Sequence, residues 1–159
     1  MIWDKLSKQT IKELKDNQDI NIFSLKNIIR YKKDKYDQWQ SADETWKLKS
    51  GDCEDFSLFM MAYGKYFNKN KWCLIIAERE IWNDIDRSIE IIGHAVLLTK
   101  GKRILDFTAG KGYDSEKEFE NKTGYKVKYR VSYNMVIFWF LFKRVYSFFW
   151  KLFDKIRSQ

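Results

Sequence analysis

The only histidine of this chain, His94, lies inside a nearly continuous apolar run from Ile91 to Thr99. Such a run, bounded by turn-forming residues, is expected to be a buried strand. Lys100-Gly101-Lys102 follows it, then a shorter apolar stretch from Arg103 to Phe107, and this order predicts a hairpin. With the turn centred near Gly101, His94 and Asp106 fall close to cross-strand neighbours with matching parity. Two polar side chains on one face of an apolar hairpin need each other, because unpaired burial of a carboxylate is costly. A lone strand histidine is otherwise a satisfied core residue. Gly93, just before His94, is expected to admit a neighbouring backbone or a bound molecule.

The remaining pattern is mixed. Residues 4–35 read as mainly helical, with Leu6, Ile11 and Leu14 in one amphipathic stretch and Phe23, Leu25, Ile28, Ile29 and Tyr31 in another. From 34 to 50 the pattern dissolves into a loop with one or two helical turns. Phe56, Phe59, Met60, Tyr63 and Phe67 then recur at helical spacing from Cys53 until Asn68-Lys69-Asn70 breaks the period. Trp72–Glu78 and Tyr125–Tyr133 are further strand candidates. Residues 108–124 read as a loop with a short helix near 115–122. Met135–Ile156 is apolar and aromatic with a narrow, mostly basic stripe, as in an interfacial helix. Its uninterrupted run, Met135–Phe142, is far shorter than the ~20 residues of a membrane span. The expected division is a domain over 1–133 and an amphipathic aromatic helix over 134–159.

Bulk properties restrict the chemistry. A chain of 159 residues, 45% apolar, is long enough for one core without staples. Two cysteines, Cys53 and Cys73, make no disulfide framework, and the N-terminus is too polar for a signal-peptide core, so a cytoplasmic location is expected. The net charge of +8 favours anionic partners, but the lysines are scattered and no nucleic-acid motif is present, so specific nucleic-acid binding is not expected. Cys73, in Trp-Cys-Leu-Ile-Ile, reads as a small strand residue.

Cys53 differs from Cys73. Gly51-Asp52 before a helical pattern is a turn and an N-cap, and Asp55 three residues on resembles a capping box. Cys53 then occupies the first turn, where backbone N–H groups and the helix dipole favour a thiolate and can hold an oxyanion. The same string is also that of a helix N-terminus decorated with acids and filled by a small thiol. Asp52, Glu54 and Asp55 oppose thiolate formation, so something must offset them: a His94 imidazolium, the dipole or a cation.

Trp39, Glu44, Gly51-Asp-Cys-Glu-Asp-Phe56, Gly93-His-Ala-Val-Leu97 and Leu105-Asp106 together resemble the bacterial transglutaminase-like cysteine proteinases, over roughly residues 27–139. The resemblance implies an α+β, papain-like transglutaminase-type fold, with a Cys-bearing helix packed on an antiparallel sheet that carries His and Asp. It implies a Cys53–His94–Asp106 triad acting on a protein or peptide substrate, with no required cofactor. Relatives controlled by calcium have ligands in the Asp-Cys-Glu-Asp segment, which carries over to Asp52 and Glu54, with Asp55 a third candidate. The second oxyanion donor is expected from the loop 38–46, and Trp39 and Trp46 are candidates to wall a groove. Water resolving the thioester gives peptidase or deamidase chemistry and an amine gives transamidation. The competing expectation is a catalytically inactive form of the fold, serving at a membrane surface, in a homodimer or in another protein interface through residues 134–159.

Overall fold

The computed structural model describes residues 5–16, 24–33, 39–67 and 72–136. It is a mixed α+β chain whose main sheet is antiparallel, with strand order β6-β5-β4-β3-β7. The elements run α1 (Lys8–Asp16), α2 (Leu25–Ile28), β1 (Arg30–Tyr31), α3 (Ala42–Leu48), β2 (Ser50–Gly51), α4 (Cys53–Phe67), β3 (Cys73–Asn83), β4 (Ser88–Leu98), β5 (Ile104–Asp106), β6 (Lys111–Tyr113), α5 (Glu116–Thr123) and β7 (Lys126–Val131).

Two apolar layers enclose the sheet. On one side Leu74, Ala95, Leu97 and Leu105 join Phe56, Phe59 and Met60 of α4 and Trp46 of α3. On the other, Ile75, Ala77, Val96 and Ile104 join Tyr113 and Phe119. The strict alternation along β3 and β4 follows from the two-residue period of a strand covered on both faces. Each fully buried Leu or Phe of this set contributes about 1.5–3 kcal/mol relative to exposure.

Caps fix the helices where the sequence changes period. Ser41 and Glu44 form a reciprocal capping box at α3, so Glu44 is a capping residue. Lys49 closes that helix in the left-handed region at φ 50°. Buried Asp43 ties α1 to α3 by accepting from the Ser7 N–H at 2.9 Å and the Thr10 hydroxyl at 2.6 Å. Ser115 caps α5, and Gly124 ends it with φ 76°.

Several expectations need correction. Tyr31 belongs to a strand, since Arg30 and Lys32 donate to the carbonyls of Lys49 and Gly51 at 2.8 Å, giving a two-residue parallel pair β1–β2. The loop after Asp106 contains β6, paired with β5 from Ile104↔Tyr113 to Asp106↔Lys111. The β3–β4 hairpin runs further than its apolar core, to Asn83↔Ser88. Tyr133 opens a helical turn, in which the Val136 N–H meets the Ser132 carbonyl at 3.0 Å. Of the aromatic segment, residues 137–159 lie outside the described residues. Among the described residues no helix is long and apolar enough to cross a membrane.

Gly51 sets the approach to α4. A Cβ there would stand 2.6 Å from Asp55 Cβ and 3.0 Å from its Oδ2. Asp55 in turn accepts from the N–H groups of Gln40 at 2.6 Å and Asp52 at 3.3 Å. Gly51→Ala is therefore expected to lose about 1–3 kcal/mol by overpacking, measured as a lower denaturation midpoint in urea at unchanged m-value. An unchanged midpoint would show that the turn relaxes freely.

Candidate active site

The β4–β5 hairpin closes through Thr99 and Arg103, whose N–H and C=O meet at 2.9 Å, with Lys102 at φ 62°. Its register pairs Leu97 with Leu105 and Leu98 with Ile104. Continued outward, that register makes His94 and Asp106 diagonal neighbours on one face rather than direct partners. The parity expected from the sequence holds, and His94 Nε2 lies 2.9 Å from Asp106 Oδ2. Both side chains are largely withdrawn from solvent, at 11% and 4% exposure. Asp106 Oδ1 accepts the Ala109 N–H at 2.9 Å, which holds the carboxylate in place. With Nε2–H donating to the carboxylate, the neutral ring keeps Nδ1 as its basic nitrogen.

Two aromatic rings support the imidazole. Tyr125 lies 5.0 Å from it, centroid to centroid, and Phe119 stacks at 6.2 Å behind Tyr125. The Arg79 guanidinium carbon lies 4.9 Å from the Tyr125 ring centroid. Tyr125 was invisible as a site residue in the sequence; its only signal was its place at the start of a strand candidate.

Cys53 opens α4, as expected. The Asp52 carbonyl accepts the Phe56 N–H at 3.1 Å, so Asp52 holds the N-cap position, and Asp55 supplies one half of the capping box. The first turn is pinned to β4 by the Ser57 hydroxyl, which donates to the Ala95 carbonyl at 3.2 Å. Cys53 and His94 line one cavity of about 640 Å³, together with Tyr31, Trp39, Asp52, Glu54, Gly93, Thr108 and Tyr125. The helix terminus and the hairpin thus bring all three expected residues to one place.

The opposition expected from Asp52 and Glu54 is present, and burial adds the largest part. Cys53 Sγ donates to Glu54 Oε2 at 3.0 Å. Burial pushes the thiol well above the free-thiol range, and the charge and hydrogen bond of Glu54 push the same way. A backbone hydrogen bond from Ala95 opposes them, and the charge of Asp52 adds to the rise. Burial, then the charges of Asp52 and Glu54, also raise the Tyr31 hydroxyl, which lies neutral on the cavity wall.

Other expectations divide. Trp39 lines this cavity and also a second, apolar one of about 520 Å³, which shares Ile76 as a wall. Trp46 does not wall a groove: it is buried, stacked on Phe59 at 5.6 Å, with Nε1 donating to Glu13 at 2.8 Å. In the loop expected to supply the second oxyanion donor, the Gln40 N–H is committed to Asp55. A Cβ on Gly93 would meet nothing within 4 Å, so its role is open space rather than backbone approach. Cys73 is a half-buried strand thiol donating to the Val131 carbonyl at 3.3 Å.

Calcium at Asp52 and Glu54 meets a sparse donor set. Asp55 is engaged by two backbone N–H groups, and Glu54 accepts the thiol hydrogen bond. Among the described residues no group of three or more His, Cys, Asp or Glu is arranged to hold a metal ion. Two carboxylates fall short of the six to eight oxygens calcium takes, so carbonyls or water would have to supply most of the shell. Comparison with family models, curated proteins and solved structures gave no match.

The thiol environment gives a pH-dependent expectation. Glu54→Gln removes both the adjacent charge and the ionic acceptor, so the pH profile of Cys53 alkylation should move to lower pH. Cys73, raised by its own burial, serves as the internal reference in the same mass spectra. A profile that stays in place would mean that Glu54 does not hold the proton.

Proposed function

We propose that the chain is a thiol-dependent hydrolase of amide or peptide bonds, built on the plan of the transglutaminase-like cysteine proteinases that its Gly-Asp-Cys-Glu-Asp-Phe and His-Ala-Val segments resemble. The observation that carries this reading is the His94–Asp106 bond of 2.9 Å in a cavity wall that also contains Cys53. A nucleophile, a base and an orienting carboxylate on separate elements form the arrangement that acyl transfer through a thioester requires.

The steps follow from the groups present. His94 Nδ1 takes the Cys53 proton as Sγ bonds to the substrate carbonyl carbon. The carbonyl π pair moves to oxygen, where N–H groups of the first turn of α4 stabilise the oxyanion. As the tetrahedral centre collapses, the C–N bond breaks and the imidazolium gives its proton to the leaving amine. Water then attacks the thioester and yields a proton to His94; as the C–S bond breaks the acid is released and the imidazolium returns that proton to Sγ. Asp106 is the positioning residue, fixing the tautomer and stabilising the imidazolium. The thiol must leave Glu54 before Sγ attacks, so Glu54 restrains the reactivity that His94 confers. Calcium bound through Asp52 and Glu54 would supply a neutralising charge there.

The second reading, a non-catalytic module of the same fold, draws on the thiol's bond to Glu54 and its raised pKa. Alkylation across pH in wild type and His94→Ala separates the two. Under the hydrolase reading, Cys53 reacts faster than Cys73 and loses that advantage without His94, and chelator or calcium shifts the profile if a cation acts at Glu54. Cys53→Ala should abolish turnover with little change in Tm, and Asp106→Asn should cost up to ~10⁴-fold in kcat. A Cys53 that behaves as an ordinary thiol with and without His94 would leave the non-catalytic module.

A further inference from the structure

The reactive cavity runs along the edge of a strand. Six consecutive residues, Glu90 to Ala95, line it. Consecutive strand residues point to opposite faces, so a cavity that touches all of them lies beside the backbone rather than over one face.

Which backbone groups face it follows from the ladder. In an antiparallel pair each residue turns its N–H and C=O to the same side, and neighbours alternate. The Thr99 N–H reaches Arg103 on the β5 side, so Leu97, Ala95, Gly93, Ile91 and Ile89 also turn their N–H and C=O groups to that side. Leu97 is paired with Leu105. Ala95 is taken by α4, its carbonyl by Ser57 and its backbone by the Cys53 thiol. Beyond Ala95 the register with β5 stops, and among the described residues no strand pairs with Gly93, Ile91 or Ile89 on this side. Gly93 has open space where a side chain would stand, and Ile91 and Ile89 are exposed.

We infer that this edge captures the substrate as an added strand: an extended segment of a polypeptide pairs with Gly93 and Ile91, and carries basic side chains toward Asp52, Glu54 and Glu90. The inference rests on the reading of Cys53 as nucleophile. A segment paired at Gly93 reaches Ala95 two residues further on, where Cys53 lies, so strand addition delivers a backbone carbonyl to the thiol. Main-chain bonds give the affinity in such additions, and alternate side chains the selectivity. Charge supports a basic partner. Glu78 is paired with Lys128 at 3.7 Å, but from Glu80 to Ile91 the hairpin holds four acids against one arginine in a chain of net charge +8, and the cavity adds Asp52 and Glu54 against Lys33.

The test is the rate of Cys53 modification by a tripeptidyl chloromethyl ketone containing lysine. Its comparators are the backbone N-methylated analogue and the glutamate analogue. Each rate is divided by the iodoacetamide rate of the same protein. Wild type should prefer the parent at least tenfold over the N-methylated probe and several-fold over the glutamate probe. Ile91→Ala keeps the edge N–H and should retain the N-methyl discrimination. Ile91→Pro removes that N–H, which faces away from β3, with the lost side chain controlled by Ile91→Ala, and should lose that discrimination. Equal rates for the parent and N-methylated probes in wild type, or full discrimination in Ile91→Pro, overturn strand addition. Equal or faster labelling by the glutamate probe overturns the basic preference. Failure of the catalytic reading is separate: iodoacetamide reactivity would be indifferent to His94→Ala while the peptide preference persisted.

Discussion

The hydrogen bond between His94 and Asp106 is the interaction on which the rest of the site depends. It exists because β5 returns beside β4 in a register that gives both residues one parity. A slip of one residue would move Asp106 to the opposite face, against the apolar layer under α4, where its carboxylate would have no partner. The hairpin turn, with Lys102 in the left-handed region and Thr99 bonded to Arg103, therefore determines chemistry as well as topology. Packing completes the constraint, since Tyr125 lies against the imidazole with Phe119 stacked behind it.

Cys53 is held by a different balance. Burial and Glu54 favour the protonated thiol, while a backbone hydrogen bond from Ala95 favours the anion. The two halves of the proposed site are thus in opposite conditions: the imidazole is oriented by Asp106, and the thiol is restrained by its own neighbour in sequence. Glu54 lies one residue from Cys53 on a half-buried helix end, and its bond to the thiol is 3.0 Å. Asp55, by contrast, is held by two backbone donors.

Legibility from sequence followed the strength of local signals. The α4 helix and its Cys53 start were readable because Gly51-Asp52 and the apolar repeat agree on one boundary. The His94–Asp106 pair was readable because a short turn fixes hairpin parity. The two-residue strands β1 and β2 have no period to read; backbone bonds from Arg30 and Lys32 create them. The strand β6 is hidden by Gly112 and by charges on an edge. The outer half of the β3–β4 hairpin, with Arg79, Glu80, Asp84 and Asp86, looks like a loop because no core rewards alternation there. Trp46 misled for the opposite reason: in an aromatic-rich chain, proximity in sequence to Cys53 says little about which ring faces a groove and which fills a core.

That outer hairpin poses a physical problem. A strand edge with free N–H and C=O groups invites pairing with other chains, and proteins blunt such edges with charge, proline, bulges or cover. This one has no proline, and it exposes Trp82, Ile85, Ile89 and Ile91. Its protection is acidic, through Glu80, Asp84, Asp86 and Glu90, which repel a second copy of the same arm while leaving a basic strand free to bind. Gly93 adds the one gap in side-chain cover, next to the histidine. An edge built only for stability would be covered at that point, because the β5–β6 layer ends a few residues away and a longer β5 would have sealed it. Stopping β5 at Asp106 does two things at once: the aspartate meets His94, and the backbone beyond Ala95 stays open beside the thiol.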